Sequence, residues 1–136
     1  STVELSHSTD ASLSYGSAVS AGIGYAKSMP TGHSVISIVG DGSVTHEGLD
    51  TLSYAANADI NLTVIIIDNG GLWCTGGQAA ALRVQDVLSE RNQVFSAIDI
   101  DNQSTESIQE IIRENVTRKK LTVIIASAQM GDFREE

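Results

Sequence analysis

The chain has 136 residues, 41% of them hydrophobic, with 17 acidic and 8 basic side chains and a formal net charge of −9. That length builds one domain around a single sizeable core and leaves no room for a second catalytic domain. The charge is spread without a Lys/Arg stripe, which argues against nucleic-acid binding. The longest apolar run, around Val64 to Ile67, falls far short of the ~20 residues that span a bilayer, so the chain reads as soluble and membrane-free.

Residues 1–13 form a polar segment rich in Ser and Thr that opens on Ser1 and lacks the apolar stretch of a signal peptide. It reads as a tag remnant or as the start of a domain cut from a longer protein. The folded domain is placed at 14–130, with a polar tail at 131–136. From Tyr15 onward, Ala18, Ala21, Gly22 and Tyr25 recur at the spacing of one small-residue helix face. Pro30, Gly32 and His33 end it. Val35 to Val39 is a β-branched run of strand length, closed by Gly40-Asp41-Gly42. Leu49, Leu52, Ala55 and Ala56 mark a second helix, and Leu62 to Ile67 is apolar on both sides, the pattern of a central buried strand. After Asp68-Asn69-Gly70-Gly71 comes an irregular stretch to Gln78. A helix is predicted within Ala79 to Glu90, and a short strand around Val94 to Ile98.

A further helix spans Ser104 to Thr117, with Glu106 in its first turn, Arg118, Lys119 and Lys120 at its end, and Ile108, Ile111, Ile112 and Val116 on one face. Leu121 to Ala126 supplies a last strand. Strands alternating with helices predict an α/β fold, a parallel sheet with helices on both faces. Cys74 is the only cysteine, which excludes an internal disulfide or a thiolate metal cage and suits a reducing, cytoplasmic setting.

In such a sheet ligands bind beyond the carboxyl ends of the strands. Gly40-Asp41-Gly42 and Asp68-Asn69-Gly70-Gly71 each follow a strand directly, so both loops emerge at that end. Their chemistry suits a diphosphate-bound magnesium ion. Asp41 offers a carboxylate oxygen, Asn69 an amide oxygen, and the glycine-rich bend a backbone carbonyl. Gly40 and Gly42 let the backbone approach phosphates, and amides near Gly42 and Ser43 at the start of a helix aim donors at negative charge. Gly-Asp-Gly alone is a common strand-to-helix turn. A second Asp-Asn after a buried strand, with one helix between, raises it above that.

The pair resembles the motif of thiamine-diphosphate enzymes, Gly-Asp-Gly followed at a distance by Asn. The likeness runs from Ser14-Tyr15-Gly16 through Gly22-Ile23-Gly24-Tyr25-Ala26 to Leu62 to Gly70 and Thr75-Gly76-Gly77-Gln78. This pattern is similar to phosphonopyruvate and sulfopyruvate decarboxylases and to 2-oxoacid and indolepyruvate ferredoxin oxidoreductases. The resemblance implies a thiamine-diphosphate-binding fold that holds thiamine diphosphate and Mg. Asp41, Asn69 and the Gly71 carbonyl would bind the metal, and Gly40, Gly42 and Ser43 the diphosphate. Thr75 and Gly76 would lie near the diphosphate or the substrate. Tyr15 stands where relatives carry a methionine that props the cofactor, and reads equally as a core tyrosine.

Ser6-His7-Ser8-Thr9 resembles a stretch of deoxyxylulose-phosphate synthases, so a transketolase-like part acting on a sugar phosphate is the second reading. A non-catalytic cofactor-binding or assembly module is the third. A flavodoxin-like or nucleotide-binding domain is disfavoured, because no Gly-x-Gly-x-x-Gly follows a strand and no Gly-Lys-Ser/Thr occurs. His7 and His33 read as solvated residues, Glu47 beside His46 as a helix-dipole partner, and Cys74 as a neutral thiol. Trp73 walls a substrate pocket or a subunit contact. The related enzymes activate the cofactor with a glutamate on a pyrimidine-binding domain, which this sequence lacks. The expectation is therefore a homo- or hetero-oligomer whose 2-oxo acid site is completed by that partner domain or subunit.

Overall fold

The computed structural model describes residues 16–30, 32–72, 78–79 and 82–129. In chain order they form α1 (Ala18–Ser28), β1 (Val35–Gly40), a short α2 (Asp41–Ser43), a π-helical turn (Val44–Gly48), α3 (Leu49–Asn57) and β2 (Leu62–Asp68). Then follow β3 (Gly71–Leu72), β4 (Gln78–Ala79), α4 (Val84–Glu90), β5 (Ser96–Asp99), α5 (Thr105–Thr117) and β6 (Thr122–Ser127). The β-branched runs pair as one parallel sheet in the order β1-β2-β6-β5. β3 and β4 form a small antiparallel ladder beside it.

Leu62 to Ile66 of β2 and Thr122 to Ala126 of β6 are buried on both faces, as their unbroken sequence runs predict, and Ile67 is partly buried. One face carries the larger core, in which Val39, Val64, Ile66, Val123 and Ile125 meet Val19 and Ile23 of α1, Leu52 and Ala55 of α3, and Val84 and Leu88 of α4. The other face is covered by α5, whose Ile108, Ile111 and Ile112 pack on Ile65, Ile98, Ile124 and Ala126. Helices therefore lie on both faces of a parallel sheet, the predicted α/β architecture. Among the described residues no helix is long and apolar enough to cross a membrane.

Several boundaries differ from the sequence expectation. α1 starts at Ala18, and it buries Val19, Gly22 and Ile23 while Tyr25 is exposed. The buried face is thus rotated from the one that small residues suggest, because large β-branched side chains fill the core on either side of Gly22. Gly22 marks the closest approach of α1 to the sheet. A Cβ there would collide with the Ser37 hydroxyl and come within 3.0 Å of Leu62 Cδ1.

The helix expected within Ala79 to Glu90 is confined to α4, because Gln78–Ala79 instead pairs with Gly71–Leu72. The strand expected at Val94 to Ile98 shifts to Ser96–Asp99. α5 forms where its pattern predicts, capped by the Ser104 hydroxyl, which accepts from the Ser107 amide at 3.2 Å. Its Asn115, unremarkable in sequence, is buried and donates to the Ile111 carbonyl (2.8 Å) and to Ser96 Oγ (3.1 Å). Those bonds tie α5 to β5.

The contact at Gly22 yields a double-mutant test. Gly22→Ala is predicted to destabilise the domain by about 1–3 kcal/mol despite its better helix propensity, the usual penalty of overpacking. Ser37→Ala in the same chain removes the nearest obstruction, so urea midpoints of the two single variants and the double variant will show coupling rather than additivity.

Candidate cofactor site

The register of the sheet decides which residues meet. Gly40, the last residue of β1, lies opposite Ile67 of β2, so one further step along each chain sets Asp41 beside Asp68, with Asn69 next. α2 packs against both β2 and β3. The structure thus brings Gly40, Asp41, Gly42, Ser43, Asn69 and Gly71 to one end of the sheet, the carboxyl end of its strands.

From Asp41 to Asn57 the backbone is helical in three successive parts. Asp41 is the first helical residue, and Gly40 before it is extended. Asp41, Gly42 and Ser43 are all buried. The carboxylate of Asp41 accepts from the amide of Gly42 at 2.7 Å, which holds it over the helix start. The π-helical turn follows at once, and there the Thr45 hydroxyl donates to the carbonyls of Asp41 (3.1 Å) and Gly42 (3.2 Å). Such wide turns recur at functional sites, where they re-aim side chains without ending the helix. A Cβ placed on Gly40 would meet nothing within 4 Å, so the strand end opens onto free space.

At the end of β2, Gly70 takes a positive φ of 74°, a conformation that suits glycine. Its amide donates to Asp68 Oδ1 at 3.3 Å. The resulting bend returns the chain into β3, where Gly71 is buried. Asn69 is half-buried at this bend; its Oδ1 atom is buried and meets no hydrogen-bond donor among the described residues, while the residue makes other contacts.

Asp68 is the residue that sequence reasoning missed. Its local pattern marks it only as part of a turn, yet it faces Asp41 across the strand ends. Burial pushes the Asp41 carboxyl above its ordinary value of 3.8; the Gly42 amide pulls it back down, and repulsion from Asp68 adds to the rise. Two acids this close favour either a shared proton or a cation. A sequence signal exists: Asp68 is the last residue of a parallel strand, one place before the proposed ligand.

Among the described residues no group of three or more His, Cys, Asp or Glu could hold a metal. A cation here would rest on one or two carboxylates, an amide oxygen, backbone carbonyls and ligand oxygens, the hard donor set that magnesium accepts. Other acids at this end of the sheet are engaged in turns. Asp99 Oδ1 accepts from the amides of Asp101 (3.1 Å) and Asn102 (3.2 Å), and Asp101 Oδ2 accepts from the Gln129 amide at 2.6 Å.

Tyr15, Trp73, Cys74, Thr75, Gly76, His7 and the Glu47 side chain lie outside the described residues. His33 is an exposed loop residue whose ring contacts the Pro30 carbonyl at 3.3 Å, and His46 is exposed on the π-helical turn. A cavity of about 280 Å³ lies at the opposite, amino end of the strands, bordered by Asn92, Phe95, Asn115 and Lys120. It shares no residue with the loops that end β1 and β2.

A buried acid opening a helix at the end of one parallel strand, set against an Asp-Asn-Gly bend at the end of the next, defines a fold of the cofactor-binding α/β class. Comparison with known proteins makes the class specific. Residues 6–126 match the model of the thiamine pyrophosphate enzyme, C-terminal TPP binding domain. The chain belongs to that family.

Solved structures agree on the fold. A 2-oxoglutarate:ferredoxin oxidoreductase from Magnetococcus marinus superposes with a TM-score of 0.72 at 16% identity, over 89% of this chain and 47% of that one. A thiamine diphosphate-dependent 4-hydroxybenzoylformate decarboxylase from Rhodococcus jostii RHA1 gives 0.68 at 18% identity, over 87% of this chain and 24% of that one. The chain thus spans less than half the length of either structure. No curated protein sequence matches it.

The raised pKa of Asp41 sets the sign of a stability effect. With a folded pKa above the unfolded one, the favourable contribution is present below the unfolded value of 3.8 and is lost as pH rises through the folded value. At neutral pH the metal-free domain therefore carries a destabilising buried charge. Asp41→Asn is predicted to raise the melting temperature of the metal-free domain at pH 7, with the gain shrinking toward about pH 4. Thermal melts across that range check it; a variant less stable than the parent at pH 7 contradicts the electrostatic account.

Proposed function

We propose that this chain is the part of a 2-oxoacid-processing enzyme, a decarboxylase or an oxidoreductase, that holds thiamine diphosphate and magnesium by the cofactor's diphosphate end. The observation that carries the reading is the buried Asp41 carboxylate opening a helix beside Asp68 and Asn69. The family match and the hard-oxygen character of the donors support it.

In this reading Asp41 and the amide oxygen of Asn69 bind the metal, with the Gly71 carbonyl as a third protein donor. Asp68 keeps the local potential negative and so favours a divalent cation over an empty site. The amides of Gly42, which donates to the Asp41 carboxylate at 2.7 Å, and of Ser43 at the start of the helix would hold the diphosphate. Gly40 leaves room for that approach. When bound, thiamine diphosphate supplies the carbon nucleophile and electron sink for breaking a bond next to a 2-oxo group. This chain would orient the cofactor by one end; by the family resemblance Thr75 and Gly76 would lie near the diphosphate or the substrate, and Tyr15 would prop the cofactor or serve as a core tyrosine.

Activation of the cofactor's pyrimidine falls to a separate domain or subunit, so the reaction is completed across an interface. The match to less than half of the solved chains supports this.

Titrating the purified chain with thiamine diphosphate and Mg²⁺ will shift Trp73 fluorescence and raise the melting temperature. At ligand a hundredfold above Kd the stabilisation is about 2.7 kcal/mol. Asp41→Ala abolishes both responses, and Asn69→Ala weakens them at least tenfold. Absence of any response at millimolar cofactor, with and without a pyrimidine-domain subunit, contradicts the proposal.

Activity gives a separate test. The chain by itself is predicted to show no 2-oxoacid decarboxylation above background in a carbon-dioxide release assay. Robust turnover without a partner would place the complete active site within these residues and overturn the division proposed.

A further inference from the structure

The cavity at the amino end of the strands has its cause in the register of the sheet. β5 begins at Ser96, which pairs with Ile124 of β6, whereas β6 pairs with β2 from Thr122 onward. Leu121, Thr122 and Val123 therefore run ahead of β5, and residues 92–95 pass beside them without joining the ladder. The hollow of about 280 Å³ is this gap. Ala56 and Asp59 at the end of α3 border it from one face of the sheet, and Asn115 and Arg118 at the end of α5 from the other. A gap between strand ends leaves main-chain groups outside the ladder, and such groups need another polar partner.

The lining is part apolar and part donor. Phe95, Leu121 and Ala56 supply apolar surface. Asn115, 2% exposed, donates to the Ile111 carbonyl (2.8 Å) and to Ser96 Oγ (3.1 Å), which uses both of its amide hydrogens. The Ser96 hydroxyl has Asn115 Oδ1 as its own acceptor at 3.3 Å, long for an O–H···O bond, so a better acceptor in the hollow would draw that proton. Arg118 binds Glu114 at 2.7 Å, and Lys120 forms no ion pair among the described residues.

Arg118, Lys119 and Lys120 are three of the eight basic residues of a chain whose net charge is −9. Against them stand Glu114 and Asp59, so this corner carries a small positive excess. Basic residues at a helix C-terminus also favour its dipole, which accounts for the charges but not for the hollow beside them. The excess suits a monoanion; a phosphate dianion would outweigh it and meet Asp59.

We propose that this hollow binds a small organic monocarboxylate, with its carboxylate on Lys120 and the Ser96 hydroxyl and its apolar body against Phe95, Leu121 and Ala56. The site shares no residue with the loops that end β1 and β2, and the proposal does not rest on the cofactor reading.

Sodium phenylacetate is the probe. Titrated into the purified, nitrogen-15-labelled chain, it will shift the amide resonances of residues 93–96 and 120–123 with a saturable Kd of about a millimolar, the range open to a ligand of about ten non-hydrogen atoms. Phenylacetamide, neutral and of the same shape, will bind about tenfold more weakly or worse, and inorganic phosphate will leave these resonances in place. Lys120→Met will weaken phenylacetate about tenfold, and so will Ala56→Leu, which fills the hollow and keeps every charge. Both positions are exposed, so the melting temperature of each variant will stay within about 2 °C of the parent.

The absence of a saturable shift overturns the proposal, as does equal binding of phenylacetamide, a response of the same residues to phosphate, or unchanged affinity in either variant. A response confined to residues 40–43 and 69–71 would place the probe at the cofactor loops and overturn it too. Thiamine diphosphate and Mg²⁺ are titrated separately, so failure of one idea leaves the other standing.

Discussion

The pairing of β1 with β2 is the constraint on which the site depends. Parallel register fixes Gly40 against Ile67, and this alone sets two chain segments far apart in sequence at the same height above the sheet. A slip of one residue would turn the side chains of β1 to the wrong faces and carry Asp41 out of line with Asp68. Register is held by burial: Val39 and Ile66 lie in one core and Ile65 in the other. The apolar interior therefore positions polar groups that contribute nothing to it.

Around that alignment the chain accepts local strain in the electrostatic sense. A carboxylate is buried at the head of a helix, close to a second acid, and held by backbone amides, that of Gly42 above all. Helix starts favour negative charge, which tempers the unfavourable burial without cancelling it. The arrangement suits a group whose charge is to be met by something else. Burial and the neighbouring Asp68 both raise the Asp41 pKa, so the ionised carboxylate destabilises the domain at neutral pH. The π-helical turn that follows lets the helix begin at the strand end while its later turns still bury Leu52 and Ala55.

A family defined by a cofactor-binding domain, an acid pair suited to a cation, and a β-branched edge strand paired on one side only among the described residues are three separate observations. The chain spans less than half the length of the solved structures that share its fold.

Much of this was legible from the residues. Unbroken β-branched runs are what a parallel sheet covered on both faces demands, so Leu62 to Ile67 declared a central strand, and the shared face of Ile108, Ile111 and Ile112 declared a helix. Gly-Asp-Gly and Asp-Asn-Gly-Gly, each placed just past a strand, announced the end of the sheet to which they belong. Periodicity could not say which flank of α1 turns inward, because small and branched residues compete for the same contact. Nor could it foresee that Gln78–Ala79 pairs back onto Gly71–Leu72. Sequence by itself therefore determined the elements, the class of fold and the two loops, since these follow from local pattern. Only tertiary structure decided that Asp68 faces Asp41, that the Asp41 carboxyl is desolvated, and that among the described residues β1 is an edge strand paired on one side only. Those are properties of distance and solvent access, which a linear chain does not specify until strands far apart in sequence have found their register.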